Sequence, residues 1–217
     1  MGNFGPNTVE LLGYYGGDET IALSAWTSTK RELTPEREER IAPLLKDVLI
    51  GLDNPDHGPP HTSPFEKAIV HFLVTTDIAT HIHLLKHRIG VSTNAESARY
   101  KELKEDKAYI PTDWPIWAQT FAQTHIEKSQ ELYHLLIDGL VKDGLSRARA
   151  KESARFVLPY ATQITADIMF HFNTFMHFQQ LRNDPHAQLE VREVAQQMLD
   201  LVRATGKFDR ALAAYGY

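Results

Sequence analysis

The chain of 217 residues contains no cysteine. That absence excludes disulfides, thiolate metal sites and a thiol nucleophile, so covalent or redox chemistry has to come from another side chain or from a bound cofactor. An excess of basic charge is also missing: 23 Lys and Arg stand against 28 Asp and Glu, for a formal net charge of -5. A general nucleic-acid binder needs a broad basic face, so no nucleic-acid partner is expected. A local cluster of cations can still hold a small nucleotide. No apolar run approaches the roughly 18 residues of a membrane-spanning helix, so no membrane partner is expected. Met1-Gly2-Asn3-Phe4-Gly5-Pro6 has neither a basic n-region nor an apolar h-region, which points to the cytoplasm. Repeats, low-complexity stretches and flexible linkers are absent as well. The length and the 42% hydrophobic content fit one domain over residues 1–217.

Local patterns give the elements. Val9 to Tyr15 reads as a first strand ended by Gly16-Gly17, and Asp18 caps a short helix through about Trp26. Thr34-Pro35 with Glu36 and Glu38 is a helix start, with a capping hydroxyl, proline at the first position and acids in the first turn. Ile41, Leu44, Leu45, Val48 and Leu49 continue at helical spacing. The proline-rich stretch from Asp53 to Pro64 is a loop. Ala68 to Thr75 is a strand, and Ile78, Ile82 and Leu85 place a helix just before Lys86. The second half reads as helical: Ile116 to about Asp143, Ser146 to Arg155, Ala166 to Leu181, and a last helix begun by Asp184-Pro185 and stopped at Gly206. Val191, Val194, Ala195, Met198, Leu199 and Val202 form its buried face, and Phe170, Phe172, Phe175 and Phe178 are core. Strands in the first half and helices in the second indicate an α+β fold.

Residues 86–100 carry most of the chemistry. Lys86, Arg88 and Arg99 are gathered there with His87, Glu96 and the small polar residues Ser92, Asn94 and Ser97, in a segment without a sustained apolar period. Arginine offers phosphate a rigid fork of N–H donors, and hydroxyls and backbone amides complete an anion nest. A metal reading is weaker. His83 and His87 are four apart and would share a helix face, but no acid lies beside either of them as in H-E-x-x-H, so no metal is assigned.

Lys86-His87-Arg88, Ser92-x-Asn94 and Ser97-x-Arg99-Tyr100 resemble the signature R-H-R-x-x-S-x-N-E-x-S-x-R-Y of the flavin-dependent thymidylate synthases (ThyX). Lys86 replaces the first Arg, one extra residue lies between Arg88 and Ser92, and Ala95 stands at the Glu position with Glu96 one place later. Three further blocks agree in order: His61-Thr62-Ser63-Pro64-Phe65-Glu66, Arg155-Phe156-Val157-Leu158-Pro159, and Leu181-Arg182-Asn183-Asp184-Pro185-His186-Ala187-Gln188-Leu189-Glu190.

The resemblance implies a ThyX-like α+β fold, an antiparallel sheet with long packed helices, in a single catalytic domain. It implies FAD as cofactor, with NADPH and 5,10-methylenetetrahydrofolate as co-substrates. It further implies a pyrimidine nucleotide monophosphate as substrate, and a homotetramer whose active sites are shared between subunits. On the nucleotide side it places Ser97 and Arg99 at the phosphate, Arg155 bracing the nucleotide, His83 and Glu96 beside it, and Arg182 polarising the uracil carbonyl or enolate. On the flavin side it places His61, with Ser63 and Glu66 in support, and His87, Arg88, Asn94, His171, Asn173, His177 and His186. Lys86 faces both ligands. His171, Asn173 and His177 occupy places where the family usually has Asn, Arg and Asn.

The chemistry that follows is carbon addition at uracil C5. One kind of synthase activates the ring with a cysteine thiolate at C6, a route closed to a chain without cysteine. The flavin route gives dUMP to dTMP. The same chemistry on UMP, as in nucleoside-antibiotic pathways, is the second reading, prompted by the departures between Lys86 and Glu96. A non-catalytic flavin- or nucleotide-binding homologue is a different class, and a metal-dependent phosphohydrolase a third.

Overall fold

A computed structural model of the chain describes residues 3–51 and 59–217. A two-residue strand, β1 (Asn3–Phe4), precedes β2 (Thr8–Tyr15) and α1 (Asp18–Ala25). The Thr34 hydroxyl accepts from the Arg37 N–H at 3.4 Å and opens α2 (Pro35–Glu38). The apolar pattern that follows forms α3 (Ile41–Pro43) and then a π-helical stretch, Leu44–Ile50, where a continuous α-helix was the expectation. Ile41, Leu45 and Leu49 of the predicted face are buried, but Leu44 is only half-buried and Val48 is exposed, with Ile50 buried instead, because the wider winding turns the later residues. Much of the expected proline-rich loop, residues 52–58, lies outside the described residues. Its last part, Ser63–Lys67, is a 3-10 turn.

β3 (Ile69–Asp77) buries alternate side chains, Val70, Phe72, Val74 and Thr76, as a strand must when one face meets a core. The Asp77 carboxylate accepts from the Thr80 N–H at 2.8 Å and starts α4 (Ile78–Leu84). Then come β4 (Val91–Ala95), β5 (Lys107–Ala108), α5 (Ile116–Lys142) and α6 (Arg147–Ala154), followed by β6 (Gln163–His171), α7 (Phe172–Arg182), α8 (Leu189–Ala204) and α9 (Asp209–Ala214). The main sheet has the order β2-β3-β6-β4, and β1 pairs in parallel with β5. β3 and β6 are antiparallel, since His71 meets Asp167 at 2.5 Å and Thr75 meets Thr165 at 3.0 Å. β4 and β6 are antiparallel too: His171 donates to the Gly90 carbonyl and Glu96 donates to that of Thr165.

Four further expectations are corrected. Asp18 does not cap α1, where Gly17 holds the N-cap position; its carboxylate accepts the Arg210 and Ala211 N–H groups at 2.9 Å and so caps α9. Gln163–His171 is a strand and the helix begins only at Phe172; Ala166, Ile168 and Phe170 are buried while Asp167 is exposed, a period of two. Asp184-Pro185 does not start α8, because the Asp184 carboxylate caps the His186 N–H at 2.8 Å in a local turn. Finally, α4 ends at Leu84, so His83 and His87 do not share a helix face.

The chain divides into two compact units: Met1–Thr8 with Val74–Lys86 and Asn94–Ala166, and Val9–Leu73 with His87–Thr93 and Asp167–Tyr217. In the first, α5 and α6 pack through Tyr133, Ile137, Ala150 and Ala154. A buried polar clip is also present there, in which Asn7 Nδ2 donates to Asp77 at 2.8 Å and Gln163 Nε2 donates to Asn7 Oδ1 at 3.0 Å. The second is built on phenylalanine. Phe172 stacks on Phe208 with centroids 4.8 Å apart, Phe72 on Phe175 at 5.7 Å, and Phe170 meets Phe178 at 5.3 Å. α8 covers α7 with the predicted face from Val191 to Val202, all of it buried.

Candidate functional site

Within the second unit, the loop that leaves α4 is fixed against the start of α7. Gly90 takes φ +66, a left-handed conformation that suits glycine, and its carbonyl accepts the His171 N–H at 2.8 Å. The Thr174 hydroxyl donates to the Ile89 carbonyl at 3.0 Å. A Cβ on residue 90 would lie 2.5 Å from Thr174 Oγ1 and 2.9 Å from His171 Nδ1. The extra residue between Arg88 and Ser92 is therefore absorbed in the Ile89–Gly90 turn, which only glycine fits at this spacing.

This anchoring brings His87 to Arg182, the last residue of α7. Arg182 Nε donates to His87 Nε2 at 3.0 Å. The imidazole packs edge-on to Phe178, with centroids 5.0 Å apart, and stands 6.3 Å from the His177 ring. Burial first, and then the Arg182 guanidinium and His177, together bring the His87 pKa down to about 4. The ring is thus neutral near pH 7, with Nε2 an unprotonated acceptor. Because Nε is engaged by His87, the four terminal N–H groups of Arg182 are left for another acceptor. Arg88 is exposed beside this pair and makes no ion pair among the described residues.

The turn at 61–67 shows a similar division of labour. His61, Ser63 and Glu66 are exposed, whereas Pro64 and Phe65 are buried. Asn173 Nδ2 donates to Thr62 Oγ1 at 3.3 Å, so Asn173 is engaged with the turn itself. His171 caps α7 and is half-buried, His177 is exposed, and His186 is exposed with Nδ1 2.8 Å from Asp184.

Within the first unit, Ser97 Oγ accepts the Arg99 N–H at 3.3 Å, and the Arg99 guanidinium pairs with Glu152 of α6 while lying 5.3 Å from the Tyr100 ring centroid. Glu152 also takes Arg149 at 3.4 Å. Glu96 accepts the Thr165 N–H at 2.9 Å and Lys101 Nζ at 2.6 Å. Burial works to raise its pKa, but Lys101 and the Thr165 N–H outweigh that and hold the carboxyl below its ordinary range. Arg155 caps the C-terminus of α6 and is exposed, as is Lys86; neither makes an ion pair among the described residues. His83 is half-buried on α4 and Asn94 is exposed on β4. Ser97 and Arg99 are brought together by these contacts, whereas Lys86 and Arg155 are cations with no ion pair among the described residues; each is a donor of the kind that suits phosphate.

No group of three His, Cys, Asp or Glu that could hold a metal ion occurs among the described residues. The sequence reading did not single out Glu152, Thr174 or Tyr215, whose partners lie 53, 85 and 42 residues away. Nothing at their own positions signals those contacts.

A family model described as thymidylate synthase complementing protein matches residues 10–205. The flavin-dependent thymidylate synthase of Pseudothermotoga lettingae is 30% identical over 200 residues, which cover 86% of this chain and 80% of that protein. That of Thermotoga neapolitana is 32% identical over 196 residues, covering 86% and 81%. The crystal structure of the UMP/dUMP methylase PolB from Streptomyces cacaoi bound with 5-Br UMP superposes with a TM-score of 0.76 at 23% identity, covering 99% of this chain and 96% of that one. The same protein bound with 5-Br dUMP gives 0.76 at 24% identity. These two likenesses establish the fold.

Proposed function

Because the chain belongs to the thymidylate synthase complementing proteins, the flavin-dependent thymidylate synthases, we propose that it methylates C5 of a uridine nucleotide, with dUMP as substrate and dTMP as product. Residues 1–217 serve as one catalytic domain, in keeping with a family match that crosses both units. The cofactor is FAD, with NADPH and methylenetetrahydrofolate as co-substrates, and the reaction runs in the cytoplasm. No helix among the described residues is long and apolar enough to cross a membrane.

The residues present suit a flavin. His61 and Ser63 present hydrogen-bonding groups to solvent, and Arg88, on the loop anchored at Gly90, is an exposed cation with no ion pair among the described residues, suited to a pyrophosphate. His87, His171 and His177 border the same loop, and Asn94, Lys86 and His186 complete the set. When bound and reduced, FAD supplies the hydride and relays the carbon unit that methylenetetrahydrofolate brings.

The observation that carries the proposal is the hydrogen bond from Arg182 to a neutral His87. A protonated imidazole would repel the guanidinium. The neutral one accepts from Nε and turns the terminal N–H groups toward a substrate oxygen. Those donors stabilise the uracil carbonyl oxygen as it gains negative charge. Ser97, Arg99 and Arg155, with His83 and Glu96 beside them, hold the nucleotide monophosphate; a phosphate competes with Glu152 for Arg99. α5 leaves Ile116, Trp117 and Phe121 between 68% and 79% exposed. A stripe of that size supports a contact with another subunit, and membership of the family makes that assembly a homotetramer with shared active sites.

One observation favours UMP as a second reading: the Ile89–Gly90 turn and the engagement of Glu96 with Thr165 and Lys101 both fall where the chain departs from the family signature. Tritium release from 5-tritiated dUMP and UMP, with FAD, NADPH and methylenetetrahydrofolate present, tests both. Release from dUMP at a higher rate supports the first reading, and preference for UMP supports the second. No release from either, with no oxidation of NADPH, overturns the proposal in favour of a non-catalytic homologue.

A further inference from the structure

Tyr215 follows α9 and matches none of the family blocks, yet its phenol reaches the turn that carries His61. Its hydroxyl donates to Asn173 Oδ1 at 2.9 Å, and Asn173 Nδ2 donates in turn to Thr62 Oγ1 at 3.3 Å. One carboxamide therefore joins the two hydroxyls in a directed chain. The residues on either side are fixed by other means. The His61 N–H donates to the Leu49 carbonyl at 2.8 Å, and the Phe172 N–H donates to that of Ala68 at 2.9 Å. Phe65 anchors the buried side, nearly parallel to Phe172 at 6.3 Å and edge-on to Tyr215 at 5.2 Å. The Thr62 carbonyl accepts the Phe65 N–H at 3.0 Å and so opens the 3-10 turn, which leaves the Thr62 side chain, between the solvent-facing His61 and Ser63, to be held by something else. The relay attaches at that residue.

The chemistry of the relay fits a holding role. Burial pushes the Tyr215 phenol up, so it remains a protonated donor at any pH at which the chain works. Its proton is directed at the amide oxygen, which fixes the Asn173 carboxamide with its NH2 toward Thr62. A hydrogen-bonded chain of this kind orients an element without touching what that element binds.

We propose that Tyr215 is a positioning residue of the cofactor site, setting through Asn173 and Thr62 the orientation of the His61–Ser63 turn that meets the flavin. This rests on the reading of the chain as a flavin-dependent synthase. Tyr215→Phe removes one hydroxyl and keeps the ring against Phe65. Stripped of flavin and titrated with FAD, followed by flavin fluorescence, it weakens binding about three- to tenfold, the range one neutral hydrogen bond transmits, while the melting temperature of the apoprotein stays within a few degrees of wild type. Thr62→Val cuts the far end of the same chain and gives a similar loss; the double variant is no weaker than the worse single one, because both remove one relay. Tyr217→Phe, outside the relay, binds as wild type. Thr62→Val stands in should Tyr215→Phe fail to fold. Unchanged FAD affinity in Tyr215→Phe, or additive losses in the double variant, overturns the proposal while leaving the family reading intact. Failure of the wild-type chain to take up FAD overturns both.

Discussion

Alanine at position 90 tests the claim that the extra residue of the signature is accommodated by a glycine turn. The substitution carries two costs. The backbone stays at φ +66, where an L-residue is disfavoured by about 1–2 kcal/mol. The new Cβ would stand 2.5 Å from Thr174 Oγ1, so Thr174 has to rotate and give up its 3.0 Å hydrogen bond to the Ile89 carbonyl, about 1 kcal/mol more. His171 cannot yield as readily, since its N–H is held by the Gly90 carbonyl and its residue joins β6 to α7. The sum is about 2–3 kcal/mol. For a chain of this length that lowers the melting temperature by about 4–12 °C, measured by calorimetry on the flavin-free protein. The two costs can be separated. Thr174→Ala alone loses the hydrogen bond, and the double variant Gly90→Ala with Thr174→Ala loses it only once, so it is more stable than the sum of the single effects implies. A melting temperature for Gly90→Ala within about 1 °C of wild type would falsify the reasoning, because neither the strain nor the contact would then exist in solution.

Other consequences follow from the same geometry. The His87 imidazole, followed by NMR, titrates at about 4, and Arg182→Gln raises that midpoint only partly, since burial is the larger cause; a midpoint near 6.5 in the wild type contradicts the neutral-acceptor role. The unfolded chain takes up this proton near 6.5 and the folded one only near 4, so His87's contribution to stability is complete above about 6.5 and is lost as the pH falls toward 4. Glu152→Gln frees Arg99 and tightens nucleotide monophosphate binding about two- to fivefold by calorimetric titration, the scale of an exposed pair; weaker binding would mean that Glu152 orients Arg99 rather than competes for it. Trp117→Glu combined with Phe121→Glu on α5 shifts the mass seen by light scattering to a smaller assembly, and an unchanged mass rules that stripe out as a subunit interface.

Much of this was legible in the sequence because it rests on local rules. The Thr34-Pro35 helix start, the buried face of α8 and the four motif blocks each depend on residues close together in the chain. β6 was not read correctly because its alternation at Ala166, Ile168 and Phe170 runs without a break into the helically spaced Phe172, Phe175 and Phe178. Strand passes into helix at His171 with no glycine or proline to mark the change. β4 gave no signal because it is an edge strand whose Ser92, Thr93 and Asn94 are exposed, so it has no apolar period to detect. Two-residue strands such as β1 and β5 fall below any pattern. At the site, the identities of His87 and Arg182 were visible but their hydrogen bond was not, since it joins residues 95 positions apart. The turn at Gly90 was visible only as an extra residue in a motif; its cause appears when the contacts of α7 are known.

The central claim, flavin-dependent transfer of a carbon to uracil C5, is tested most directly by supplying methylenetetrahydrofolate labelled with carbon-13 at the methylene and weighing the nucleotide product by mass spectrometry. The account predicts a 5-methyl product carrying the label, formed from dUMP only when FAD and NADPH are both present and abolished in Arg182→Ala. Labelled product formed without flavin, or none formed from either dUMP or UMP by a protein that has bound its FAD, would contradict it.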